Sequence, residues 1–217
     1  MCFSATASFT AAAALATAGL VILPRVRDLR ELPLAGVPAL FAAQQALEGA
    51  LWLTLSRPGN TVLAGWLANG FVLFALVIWP VYAPLSALLV ESRLRRRLMW
   101  LFVGLGALFA LYSLADIAAH PYHVVRTPES LCYINNSPYP GFAMALYVPA
   151  VCGAFLISSK PLIRTFGAII LLGLAVSLAT FFADLVSVWC FFAALASVIL
   201  TAHFFKHHRL LVNGVDS

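Results

Sequence analysis

The sequence predicts an all-α polytopic membrane protein: a bundle of seven transmembrane helices, N-terminus outside and C-terminus cytoplasmic. Three observations predict it. The 217-residue chain is 63% hydrophobic and only 10% charged, and its mean hydropathy is +0.97. A soluble domain carries about 25% charged residues, so this chain cannot cover a water-facing surface and must be solvated by lipid. Seven apolar runs approach the roughly 20 residues that a bilayer-spanning helix needs. The basic residues between those runs fall almost entirely on one side.

In chain order the runs are Phe3–Leu23, Leu34–Leu55, Thr61–Val90, Leu98–Ala118, Gly141–Ile157, Thr165–Val186 and Val188–Phe205, which make residues 1–217 a single transmembrane domain. The first carries its positive charge after the apolar stretch, the reverse of a signal peptide, so it is kept as a span. A lipobox cysteine would follow such a stretch, so Cys2 is not a lipid anchor of that kind. The third run contains Pro80 and Pro84. Two spans would need about 40 residues, so it reads as one kinked helix. No internal repeat of the transporter kind is visible.

Loops after spans 1, 3 and 5, with the C-terminal tail, hold 11 Lys and Arg, from Arg25 to Arg209; the other side holds Arg57 and Arg126. Basic loops stay in the cytoplasm, which sets the orientation. Trp52, Trp66 and Trp189 then fall at the outer interface and Trp79 and Trp100 at the inner one. The formal charge of +5 is spread over short loops with no basic domain to track a phosphate backbone, so nucleic acid is rejected as a partner. The partner is membrane lipid.

At 1.5 Å per residue, Glu48 lies roughly 10 Å below the outer end of span 2. Gln44, Gln45 and Trp52 share its face, and Asn69 of span 3 is at the same depth, a candidate hydrogen-bond partner. Span 4 ends in Tyr112, Ser113, Asp116 and His120 on one face, with His123 beyond Pro121. Span 6 ends in Ser177, Thr180 and Asp184, and span 1 opens with Cys2, Thr6 and Thr10. Every acid within a span thus lies in the outer half. An ionised carboxylate at a helix centre costs about 2.5–3.5 kcal/mol on insertion scales, so acids within spans face a cavity or a partner.

This gathering predicts a metal site with Cys2, Glu48, Asp116, His120 and Asp184 as candidate ligands. Asp116 and His120, four apart on a helix, point the same way, as two ligands of one ion would. Cys2 precedes the first turn of span 1, where the helix dipole favours thiolate, and removal of Met1 would add an amine to the same chelate. Thiolate with imidazole favours zinc or copper. If the site hydrolyses, Glu48 is the best-placed general base. The bland alternatives are a structural Glu48 pair, an interfacial Asp116 and a Cys2–Cys132 disulfide. Cys152 and Cys190 read as packing residues. His203, His207 and His208 have ligand spacing but no acid or histidine at their level, and read as interfacial.

The opening "MCFSATASF", the following "RELPLAGVPALFAAQQALEGALWL" and the seven-span length resemble an uncharacterised family of bacterial integral membrane proteins that begin Met-Cys-Phe-Ser. The resemblance covers essentially the whole chain and implies a bacterial inner-membrane location. It implies no activity. Three function classes therefore stand: a metal-dependent membrane enzyme taking a small-molecule or lipid substrate from the outer side, a proton-linked transporter or small-ligand sensor, and a structural protein stapled by Cys2–Cys132.

Overall fold

The computed structural model describes residues 4–57, 59–127, 130–137, 145–180 and 185–212, with side chains through residue 205. Its helices are α1 (Ala5–Ile22), α2 (Leu32–Leu55), α3 (Thr61–Leu73), α4 (Trp79–Leu89), α5 (Arg93–Ala119), α6 (Ala145–Leu156), α7 (Pro161–Thr180) and α8 (Leu185–Val212). A π-helical turn, Phe74–Ile78, joins α3 to α4 in one rod. Among the described residues five helical stretches are long and apolar enough to cross a membrane: α1, the Thr61–Leu89 rod, α5, α7 and α8. They expose large apolar side chains such as Leu20, Leu108, Leu111 and Leu172, a surface suited to lipid and not to water.

Local chemistry starts and bends these helices. The Ser4 hydroxyl caps α1 by accepting the Ala7 N–H at 3.1 Å, satisfying one of the helix's orphan donors. Before α2, the Asp28 carboxylate accepts the Arg30 N–H at 2.9 Å in a short 3-10 turn. The π turn follows from Pro80. The Trp79 N–H bonds to Phe74 O instead of to Ala75 O. In that wider register the donor for Ala75 O would be residue 80, a proline without an N–H. The Tyr147 hydroxyl fills the vacancy, donating to Ala75 O at 2.9 Å. A second π turn, Pro149–Gly153, lies inside α6.

The kink is packed directly. A Cβ added at Gly106 of α5 would lie 1.7 Å from Pro80 O, so only glycine lets α5 approach the bent rod. α2 packs against α1, α3, α4 and α8, which makes it the central helix. A central helix can hide a polar face, and α2 hides Gln44, Gln45 and Glu48 completely. The core beside it is aromatic: Phe41 stacks on Trp79 at 4.0 Å, and Tyr147 meets Trp189 edge-on at 5.2 Å.

One expectation changes here. Trp52, Trp79 and Trp189 are buried in protein; their indoles fill the core instead of forming interfacial belts, and only Trp66 and Trp100 are exposed, at opposite ends of the bundle. The loop after α5 carries an antiparallel hairpin, β1 (His123–Arg126) and β2 (Leu131–Ile134), with Val124 opposite Tyr133 and Arg126 opposite Leu131.

Candidate functional site

The polar face of α2 ties three helices together. The Gln44 amide accepts from Trp79 Nε1 at 2.7 Å and donates to Cys190 Sγ at 3.4 Å. One turn on, Glu48 Oε1 accepts the Ser187 hydroxyl of α8 at 2.6 Å. Gln45, between them, is fully buried, and neither its amide nitrogen nor its oxygen has a hydrogen-bond partner among the described residues. The Ser8 hydroxyl of α1 is in the same condition. The Phe9 ring sits against Gly49, which places Ser8 and Glu48 at one level. Leaving a buried polar group unsatisfied costs about 1–3 kcal/mol, so these orphans mark a place where a polar ligand or water belongs.

The hairpin closes this end of the bundle. Asn69 holds its base: the side chain donates to Tyr122 O at 3.0 Å and accepts the Tyr122 N–H at 2.9 Å. Tyr133 stacks on Phe71 at 4.9 Å, Leu131 is buried with Leu51 and Trp52, and the Arg126 guanidinium lies 5.0 Å over the Trp52 ring. Thr127 and Ser130 close the turn through their hydroxyls, 2.8 Å apart. Beside the hairpin a cavity of about 320 Å³ is lined by Thr54, Arg57, Asn60, Thr61 and His123. The Tyr122 phenol at the hairpin base is pushed up to about 12 by burial, then by the neighbouring charges of Asp116 and Tyr112.

Three of the five predicted ligands, Glu48, Asp116 and His120, fall among the described residues. Cys2 and Asp184 lie outside the described residues, as does one end of the expected Cys2–Cys132 pairing. Glu48 is central, and its bond to Ser187 replaces the expected bond to Asn69, whose amide is committed to Tyr122 and Gly65. Asp116 and His120 do come together, Oδ1 to Nδ1 at 3.1 Å, and Asn135 donates to the other Asp116 oxygen at 3.0 Å. But α5 packs chiefly on α4 and α6, and among the described residues no three His, Cys, Asp or Glu gather closely enough to hold an ion. Ser177 and Thr180 donate to carbonyls of their own helix, and Thr6 and Thr10 are exposed, so the buried polar residue of α1 is Ser8.

A second polar cluster lies at the opposite end, where the sequence shows only a serine pair and a lone acid. Glu91, between α4 and α5, is buried and accepts from Ser158 Oγ and the Ser159 N–H at 2.9 Å each, from the Ser92 N–H at 3.1 Å, and from Ser159 Oγ. Burial pushes its carboxyl up, and the hydrogen bonds from Ser159, Ser92 and Ser158 more than offset that, so it is held below the usual carboxylate range. Arg95 adds a bond to Ile157 O at 2.6 Å. Together they clasp the α4–α5 turn to the α6–α7 loop.

A family model described as a family of unknown function (DUF6629) matches residues 1–212. No curated protein and no solved structure matches the chain.

Proposed function

The chain belongs to this family of unknown function, and we propose that it is a seven-span membrane protein that binds a metal ion at Glu48. The observation that supports this best is a fully buried Glu48 next to a fully buried Gln45 whose amide lacks a partner among the described residues. A buried carboxylate is held by hydrogen bonds, by a bound cation or by a proton, and beside Glu48 the unpartnered Gln45 amide favours an ion with its own water. The Gln45 amide offers a donor and an acceptor to a water or substrate on the ion.

The other ligands we assign are Cys2 and Asp184. α1, α2 and α8 pack against one another, and Cys2 and Asp184 belong to the segments that lead into α1 and α8. Ser187, three residues past Asp184, already bonds Glu48. One thiolate with two carboxylates suits zinc before copper. Asp116 and His120 form a separate pair on α5. A substrate would approach past the hairpin.

Elemental analysis of protein purified in detergent without chelator tests this. Stoichiometric zinc is expected, lowered by Cys2→Ser, Glu48→Gln or Asp184→Asn and unchanged by His120→Ala. Wild-type protein without metal overturns the reading, as does loss of metal in the His120 variant alone.

We also assign α2 and α6 as spans, with the hairpin end outside the bacterial inner membrane. α2 has 24 residues, about 36 Å of helix, and its polar face is hidden by its neighbours. The support for the orientation is the 11-to-2 split of basic residues. A periplasm-active reporter fused near Arg126 should be active and one near Lys160 silent; the reverse pattern sinks the assignment.

A further inference from the structure

We propose that the first turn of α5 is a binding site for the headgroup of an anionic phospholipid. Arg93, Arg96, Arg97 and Trp100 are spaced to share one helix face. Arg93, Arg97 and Trp100 are exposed, Arg96 is half-buried, and Leu101 beside them is exposed as well. The opposite side of the same turns is committed to the protein, through buried Met99 and through Arg95 on Ile157 O.

The charges on this face are uncompensated. A helix N-terminus already carries a positive partial charge from its unsatisfied N–H groups, so cations there are unfavourable. The first turn of α5 has no acid, and its N-cap Ser92 makes no side-chain capping bond. The nearest acid in the chain, Glu91, is turned inward with both oxygens occupied by Ser92, Ser158 and Ser159. Among the described residues no carboxylate pairs with Arg93, Arg96 or Arg97. A phosphodiester supplies what the cluster lacks: two oxygens for the guanidinium forks and for the orphan N–H groups. Trp100 and Leu101 identify the site as interfacial, since exposed indoles sit at headgroup level and the leucine beside it meets acyl chains. Lipid, and not a free anion, therefore fits both halves of the site.

The test is thermal unfolding of the full chain in neutral detergent, titrated with phosphatidylglycerol, phosphatidylcholine or inorganic phosphate. Phosphatidylglycerol should raise Tm in a saturable way and the other two should not. Each basic residue at an anionic surface is worth about fivefold in affinity. Arg93→Gln/Arg96→Gln/Arg97→Gln should thus weaken the phosphatidylglycerol response on the order of a hundredfold. Arg93→Lys/Arg96→Lys/Arg97→Lys, which keeps the charge, should retain most of it and controls for folding. Arg27→Gln/Arg30→Gln/Arg164→Gln, equal in charge removed, should retain the response. An equal response to both lipids overturns the proposal, as does a full response to phosphate, or equal losses in the two Gln triples.

Discussion

Gly106→Ala should destabilise this protein sharply, while Gly104→Ala, two residues away on the same helix, should not. The added methyl at 106 would sit 1.7 Å from Pro80 O and 2.6 Å from Pro80 C, where real Cβ contacts stay beyond 3.0 Å. The obstacle is backbone, held by the π turn and by the Tyr147 bond to Ala75 O. No side chain can rotate away, so α5 or the rod must shift by more than an ångström. Overpacking one methyl commonly costs about 1–3 kcal/mol, and a fixed backbone target places this case at or above about 3 kcal/mol. At Gly104 an added Cβ meets nothing within 4 Å, and replacing a helical glycine by alanine gains about 0.5–1 kcal/mol. The two variants should therefore depart from wild type in opposite directions. Thermal or SDS unfolding in one detergent, read by circular dichroism, compares them. If Gly106→Ala is as stable as Gly104→Ala, the close approach of α5 to the kink is wrong.

Tyr147→Phe should cost about 1–3 kcal/mol, because it leaves the buried Ala75 carbonyl without a donor; unchanged stability would show that the π turn does not depend on that hydroxyl. Glu91 gives a pH signature. Its folded carboxyl is held below the ordinary value, so its contribution is complete above the unfolded pKa, near 4.5, and is lost as pH falls through the folded value. Wild type should thus exceed Glu91→Gln in Tm at neutral pH, and that gap should close on acidification below about 4.5. A gap that stays constant with pH contradicts the clasp.

Much of the bundle was legible because a span is a one-dimensional signal. Each apolar run overlaps a helix, and the Gln44, Gln45 and Glu48 face is a matter of helical spacing alone. What the sequence lacks is the position of each helix around the bundle. Asp116 stands on α5, which packs chiefly on α4 and α6, and a partner of Glu48 is Ser187, 139 residues away. The hairpin escaped because four-residue strands are too short to show a period of two. Its anchor, Asn69 on Tyr122, spans 53 residues. Glu91 escaped likewise: its partners Ser158 and Ser159 look like ordinary loop residues until the fold brings the two turns together. Pro80 announced a bend, but its form as a π turn depends on a tyrosine from another helix.

The most direct test of the Glu48 centre is X-ray absorption on the metal of detergent-purified protein. A centre made of Cys2, Glu48 and Asp184 predicts a first shell with one sulfur at about 2.3 Å and oxygens at about 2.0–2.2 Å. It predicts none of the outer-shell scattering of an imidazole ring, and Cys2→Ser should remove the sulfur. A shell containing imidazole and no sulfur would contradict the account and move the site to Asp116 and His120.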